Sequence, residues 1–267
     1  MDILNALLLG IVEGVTEFLP ISSTGHLILF NQWLTLRPGL AETFDIFIQL
    51  GAILAVIWLY RTRLLDLLRR LPSDRSAQRL AVTLALAFVP AGLLGFLFHS
   101  RIKTLLYKPV PVALALILGG VAIWLLDREQ RNVRIKGLEA VPPLTGLGVG
   151  VAQALALVPG VSRSAASILG GLGLGMDRQT AVEFSFFLSI PTMLIATLYD
   201  LFKSAAGLGG SDWLTLAVGF VAAFITALVV IQMFLRYITT HTFRPFAVYR
   251  IALGLLVLAL FFVGILR

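Results

Sequence analysis

Apolar residues run in six stretches that read as membrane crossings, roughly 44–60, 80–98, 112–126, 182–202, 214–235 and 246–266. A crossing takes about 20 predominantly apolar residues, so the shorter stretches must tilt or lean on neighbours. Two further apolar pieces, 3–30 and 144–174, are cut by Pro, Ser and Gly. The cuts fall at Pro20-Ile21-Ser22-Ser23-Thr24-Gly25 and at Pro159-Gly160-Val161-Ser162-Arg163-Ser164. Their halves are each too short to cross. Irregular backbone at membrane depth is tolerated only where protein or a water-filled cavity surrounds it. Both pieces therefore read as re-entrant helix–loop–helix hairpins.

Composition agrees. Hydrophobic residues make up 58% of the chain and charged residues 13%, against about a quarter charged in soluble domains, which makes this an integral membrane protein. Cysteine is absent, excluding disulfides, thiol nucleophiles and cysteine metal sites. The net charge of +7 raises the question of nucleic acid. In a membrane chain it reflects basic cytoplasmic loops and contact with anionic headgroups, so no nucleic-acid partner is expected. The start, Met1-Asp2, carries no basic stretch, and no cleaved signal peptide is expected.

The chain repeats itself at a shift of 140. Gly10-Ile11-Val12-Glu13 falls on Gly150-Val151-Ala152-Gln153, Pro20 to Thr24 on Gly160 to Ser164, and Phe44 to Ile48 on Phe184 to Leu188. Lys108-Pro109 and Arg244-Pro245 precede the last crossing of each copy. The expected architecture is all-α: one membrane domain over 1–267, with a repeat at about 1–127, a second at about 144–267 and a cytoplasmic linker at 128–143. Each repeat is one re-entrant hairpin plus three crossings. An odd number of crossings turns the second copy upside down, and such inverted repeats bring two broken-helix loops together near the midplane.

Orientation follows from the basic residues. Arg61, Arg63, Arg69, Arg70, Arg75 and Arg79 crowd the first connection, Arg128, Arg131, Arg134 and Lys136 the linker, and Arg236 and Arg244 the fifth connection. The opposite side has only Arg101, Lys103, Lys108 and Lys203. The first group is cytoplasmic by the positive-inside rule, so the first hairpin enters from outside and the second from inside.

Differences between the copies point to chemistry. The first carries Glu13 and Glu17 where the second has Gln153 and Leu157, and the second carries Arg163 where the first has Ser23. On a helix, Gly10, Glu13, Gly14 and Glu17 share a face, and buried acids in membranes usually face a cavity. The pair could hold a divalent cation, serve as general base, bind a coupling ion or simply pair with Arg. Ser22, Ser23 and Thr24 suit a helix cap, an anion cradle or a nucleophile with Glu17 or His26 as base. Arg163, flanked by Ser162 and Ser164 after Gly160, suits a bidentate phosphate clamp or a partner for the acids. Gln49, Ser189, Glu183, Ser185 and Arg250 are further intramembrane polar groups, and Gln49 and Ser189 are repeat equivalents. Such residues line a cavity or hydrogen-bond between helices.

The run Glu13-Gly14-Val15-Thr16-Glu17-Phe18-Leu19-Pro20-Ile21-Ser22-Ser23-Thr24-Gly25-His26 resembles the first signature of undecaprenyl pyrophosphate phosphatases of the bacitracin-resistance type. Pro159-Gly160-Val161-Ser162-Arg163-Ser164 resembles the second. The likeness extends through Glu183-Phe184-Ser185-Phe186 and Pro245-Phe246-Ala247-Val248-Tyr249-Arg250; Ser167 stands where that family usually has Thr. The resemblance implies hydrolysis of undecaprenyl diphosphate to undecaprenyl phosphate and inorganic phosphate, in the bacterial inner membrane, at a site open to the outer side. It implies a divalent cation, Mg²⁺ or Ca²⁺, on Glu13 and Glu17. Catalytic roles fall on Glu17, Ser23, His26 and Arg163, and substrate contacts on Ser22, Thr24, Gly160, Ser162, Ser164 and Gln49. Ser23 is the favoured nucleophile; His26 or a water activated by Glu17 stay open. The partners are a polyprenyl diphosphate and membrane lipids, and a homodimer stays open. The competing class is a secondary transporter or flippase of a lipid phosphate, which inverted repeats with broken helices also build.

Overall fold

A computed structural model describes residues 2–37, 40–106, 108–127, 133–204 and 210–266. Arg128 and Arg131 of the linker lie outside the described residues, as do the side chains of Arg101, Lys103 and Lys203. The first hairpin is α1 (Asp2–Thr16) and α2 (Ser23–Phe30), followed by α3 (Ala41–Leu59), α4 (Arg61–Arg70), α5 (Arg75–Leu106) and α6 (Pro109–Leu126). The second hairpin is α7 (Pro143–Ala154), a 3₁₀ turn at Leu155–Leu157 and α8 (Arg163–Gly173). It leads into α9 (Arg178–Ser204), α10 (Gly210–Ile238) and α11 (Arg244–Phe262). Among the described residues the regular structure is helical, apart from an isolated bridge between Ile135 and Met176. Both broken-helix pieces are present, and the chain is a multi-pass membrane protein of the all-α class.

Among the described residues five helices are long and apolar enough to cross: α5, α6, α9, α10 and α11. α3 passes the same test together with α4, from which it is bent by 68°. Most of the basic connection after α3 is itself a helix, α4. Its alternating Arg and Leu build a two-faced cylinder: Leu67 is buried, while Leu65 and Leu68 are exposed, the pattern of a helix lying along a membrane interface. α5 is longer than its apolar run because polar residues at both ends continue it. Pro90 and Pro191 sit inside α5 and α9 without ending them; membrane helices accommodate such breaks through neighbouring groups. The two basic-Pro steps start α6 and α11, where a proline lacking its N–H costs nothing.

Helix packing follows the repeat. α1 lies on α10 and α7 on α5, so each hairpin leans on the second crossing of the other copy. α3 packs on α9 and α6 on α11, each helix against its own counterpart. This set of partners is unchanged when the copies are exchanged, as an inverted repeat requires. Small residues set the spacing: a Cβ on Gly10 or Gly14 would come within 2.3 or 2.6 Å of a carbonyl oxygen of α10, and one on Gly146 or Gly150 within 2.7 or 2.3 Å of a carbonyl of α5.

The two ends are held by ion pairs. At the basic end Arg70 binds Asp66, Asp74 and both oxygens of Glu139, tying the α4–α5 turn to the linker, and Ser76 adds a 2.6 Å bond to Glu139. Asp127 takes Arg178 and the Phe243 N–H, and Arg63 meets Glu183 at 2.7 Å. At the other end Arg37 joins Asp2 and Asp212.

Two predictions follow from this packing. Gly51→Val places side-chain atoms where a Cβ would already lie 2.5 Å from the Phe220 carbonyl oxygen. It should cost at least the ~1–3 kcal/mol typical of overpacking, read as a lowered thermal midpoint in detergent, whereas Gly173→Ala meets nothing within 4 Å and should leave the midpoint unchanged. Arg70 holds the carboxyls of Asp74 and Glu139 below their usual range. Their contribution to stability is therefore complete above the unfolded carboxyl pKa and is lost only as pH falls through the lower folded values. In Arg70→Met that loss should begin at a higher pH, visible as earlier hydrogen exchange in the 138–141 turn on acidification.

Candidate active site

The two loops meet. Each ends in a serine that caps the following helix: Ser22 accepts from the Gly25 N–H at 3.4 Å and Ser162 from the Ala165 N–H at 3.2 Å. Both serines sit at positive φ, 70° and 73°, an uncommon backbone for a residue with a Cβ that costs about 1–3 kcal/mol each. The matching strain at repeat-equivalent positions turns the chain sharply so that α2 and α8 start beside the break.

Arg250 of α11 fastens both loops to α6. Its fully buried guanidinium donates to the carbonyls of Ala115 (3.2 Å) and Leu116 (3.3 Å) on α6, Pro20 (3.3 Å) in the first loop, and Gly160 and Val161 (both 2.9 Å) in the second. The Ser164 hydroxyl adds a direct bond between loops, to the Leu19 carbonyl at 2.8 Å.

Glu17 is the centre of the resulting cluster. One carboxylate oxygen accepts from the Ser23 hydroxyl at 2.6 Å, the other from Arg163 Nη2 at 3.1 Å. The acid comes from the first copy and the guanidinium from the second, so the site is composite. Arg163 also donates to the Ser185 carbonyl and hydroxyl (3.2 and 3.4 Å), touches Met193 Sδ at 3.3 Å and lies 5.3 Å from the Phe18 ring centre. Ser185 continues to Ser167 at 2.7 Å, and Ser167 donates to the Arg163 carbonyl. Arg163 Nε is buried without a hydrogen-bond partner.

Glu13 lies one turn before Glu17, fully buried, and neither of its carboxylate oxygens has a hydrogen-bond partner. A buried carboxylate with nothing donating to it is costly. Two unsatisfied oxygens beside a second carboxylate form a hard donor set, which suits a divalent cation that takes its other ligands from water or substrate. Among the described residues no group of three or more His, Asp or Glu side chains is placed to hold a metal by itself.

Not every sequence candidate joins the cluster. His26 has one ring nitrogen 2.8 Å from the Ser22 carbonyl and the other 2.7 Å from the Tyr249 hydroxyl, with the two rings stacked. It braces the first loop against α11 and makes no hydrogen bond to Ser23. Ser162 and Ser164 bond each other at 3.0 Å and serve the loop turn. Gly160, at φ 95°, gives its carbonyl to Arg250. Thr24 is half-buried at the start of α2, and Gln49 is half-buried on α3. Ser189, the equivalent of Gln49, gives its hydroxyl to the Phe186 carbonyl at 2.6 Å. Residues missed as site members are Ser185 and Met193, which touch Arg163, and Tyr249, which holds His26.

A multi-helix membrane protein with a buried acid–arginine–serine cluster at two broken helices is the class the fold defines. The model of the bacitracin resistance protein BacA family matches residues 6–256, and the chain belongs to that family. It is 50% identical over 257 residues to a Dechloromonas aromatica protein named undecaprenyl-diphosphatase, covering 96% of this chain and 94% of that one. An Aromatoleum aromaticum protein of the same name is 51% identical over 254 residues, covering 95% and 93%. One from Burkholderia mallei is 47% identical over 266 residues, covering 98% and 96%.

The second loop supplies a test of the framework. A Cβ at Gly160 would lie 2.5 Å from the Val112 carbonyl oxygen at a backbone angle that L side chains avoid. Gly160→Ala should lower the thermal midpoint in detergent and reduce activity together, because the loop that carries Arg163 cannot seat against α6.

Proposed function

We propose that this chain is an undecaprenyl-diphosphatase of the bacterial plasma membrane. It removes the terminal phosphate of undecaprenyl diphosphate and returns undecaprenyl phosphate as the carrier for peptidoglycan precursors, which is also the basis of bacitracin resistance. The observation that carries this reading is the Glu17 carboxylate, shared at membrane depth between a serine hydroxyl and an arginine from the opposite repeat. Full-length relatives bearing the enzyme's name support it.

Phosphoryl transfer asks mainly for positioning and charge neutralisation. Arg163 supplies the guanidinium: its Nη2 exchanges Glu17 for a phosphate oxygen and its unpartnered Nε offers a second donor, the forked geometry suited to phosphate. The N-termini of α2 and α8 add free N–H groups beside the break. Once Arg163 turns to substrate, Glu17 is left as the acceptor of the Ser23 proton. Ser23 Oγ attacks the terminal phosphorus, its proton passes to Glu17, and the bridging P–O bond breaks to release the lipid monophosphate. Water then attacks the phosphoserine phosphorus and the P–Oγ bond breaks; Glu17 returns its proton to Ser23 Oγ, takes one from the water and passes it to the departing inorganic phosphate. Glu13 and Glu17 would hold a divalent cation, which when bound supplies further positive charge for the phosphate oxygens. The family resemblance implies a site that opens to the outer side of the membrane.

Purified protein in detergent, where no gradient exists, should release phosphate from the lipid diphosphate; a transporter would not. Arg163→Ala and Glu17→Gln should each lower kcat by about 10²–10³-fold in protein that still inserts and purifies as wild type does. Retention of more than a tenth of activity would remove that residue from the mechanism. EDTA in excess should abolish turnover, and Mg²⁺ or Ca²⁺ should restore it. Trapping a phosphoenzyme that Ser23→Ala lacks would assign the nucleophile.

A further inference from the structure

Tyr249 precedes the loop-fastening Arg250 on α11, and its hydroxyl lies 2.7 Å from Nε2 of His26. The two rings stack with their planes 7° apart. Tyr249 is 45% exposed and His26 is buried, so the pair reaches from the surface of the bundle to the first loop. Among the described residues His26 is the one hydrogen-bond partner of that hydroxyl. On its other side the imidazole has Nδ1 2.8 Å from the Ser22 carbonyl. A carbonyl only accepts, so Nδ1 carries the proton, and in the neutral ring Nε2 is then an acceptor. The Tyr249 hydroxyl therefore donates, and the bonds run in one direction from Tyr249 through His26 to Ser22. The Ser22 carbonyl belongs to the same planar peptide as the Ser23 N–H, which points the opposite way. The His26 backbone N–H also reaches this carbonyl, but at 3.4 Å, so the ring makes the shorter of the two bonds that hold it. Ser23, whose hydroxyl lies 2.6 Å from Glu17, hangs from the peptide so fixed.

The other repeat shows that the turn itself does not need this brace. Ser162 takes the matching backbone, φ 73° against 70° for Ser22, and caps its helix in the same way. Yet the positions matching His26 and Tyr249 are Ala166 and Ala113. The brace exists only in the copy that carries Ser23. We propose that Tyr249 is a positioning residue for the reaction: its hydroxyl holds His26 in the Nδ1–H form, His26 locks the Ser22–Ser23 peptide, and that peptide keeps the Ser23 hydroxyl aimed at Glu17. The proposal rests on the phosphatase reading with Ser23 as the attacking group. It makes His26 a donor to the backbone rather than a base, since both ring nitrogens are engaged away from Ser23.

Tyr249→Phe keeps the stacked ring and removes only the hydroxyl. It should lower kcat for undecaprenyl diphosphate about tenfold, with KM nearly unchanged, the sign of an arrangement needed in the transition state rather than for binding. His26→Asn puts an amide N–H close to the place of Nδ1 and offers no ring nitrogen to Tyr249. It should therefore keep about tenfold more activity than His26→Ala, and adding Tyr249→Phe to it should cost nothing further. Imidazole nitrogen NMR reads the brace without turnover, in a chain with only three histidines. At mildly alkaline pH, where histidine is neutral, the signal that His26→Asn removes should report the Nδ1–H form in wild type, and Tyr249→Phe should shift its Nε2 resonance. A wild-type His26 in the Nε2–H form, or Tyr249→Phe turning over at the wild-type rate, would overturn the proposal. So would His26→Asn as inactive as His26→Ala, which would make the ring a proton carrier. Absence of phosphate release by wild type would instead strike the enzyme reading, while the nitrogen signals would still judge the brace.

Discussion

Backbone cannot be left bare at membrane depth, and the rest of this structure answers to that constraint. Two helices are broken where no water can rescue their carbonyls. Arg250 resolves the problem in one stroke, reaching carbonyls of both loops and of α6 from α11. An arginine is suited to this because its planar fork carries five donors and stays charged. Among the described residues it has no carboxylate partner; its charge is met by oriented carbonyl dipoles. With the loops fixed in this way, the side chains they carry are fixed as well. A buried guanidinium doing structural duty thereby positions a second one, Arg163, that is left for chemistry.

The repeat supplies a symmetric frame, and the substitutions within it divide the labour. Ser22 and Ser162 are bent alike and cap alike, and the glycines of α1 and α7 admit their partner helices at the same close range. Within that frame, Glu13, Glu17 and Ser23 face Arg163 across the junction. Placing the acids in one copy and the cation in the other means neither hairpin alone makes a site. A carboxylate and a guanidinium taken from water must satisfy each other, and here each hairpin supplies the partner the other needs.

Much of this was legible in the chain. The 140-residue shift, the Pro, Ser and Gly cuts in otherwise apolar runs, and the unlike residues at matched positions were enough to pair Glu17 with Arg163, because charges inside a membrane must find partners. The limits were equally physical. α4 was hidden because a run dense in Arg reads as a connection unless its Leu spacing is followed around a helix. The partner of His26 could not be read from its place after the serines. The helix that begins at Ser23 instead turns its ring away, to Tyr249 of α11, more than two hundred residues along.

Periodicity, hydropathy and repeat register thus determined by themselves that this is a helical membrane protein of two related halves, with an acidic pair in one and an arginine in the other. Those are properties of local pattern and of the cost of burying charge, which the chain states wherever it folds. Tertiary structure alone decided which hydroxyl Glu17 accepts from, that Arg250 rather than another cation holds the loops, and that α3 closes on α10 backbone to backbone at Gly51. Each depends on the direction of a side chain or the fit of two helix surfaces brought together from distant segments. Angstrom-scale choices of that kind are made only when the whole bundle packs.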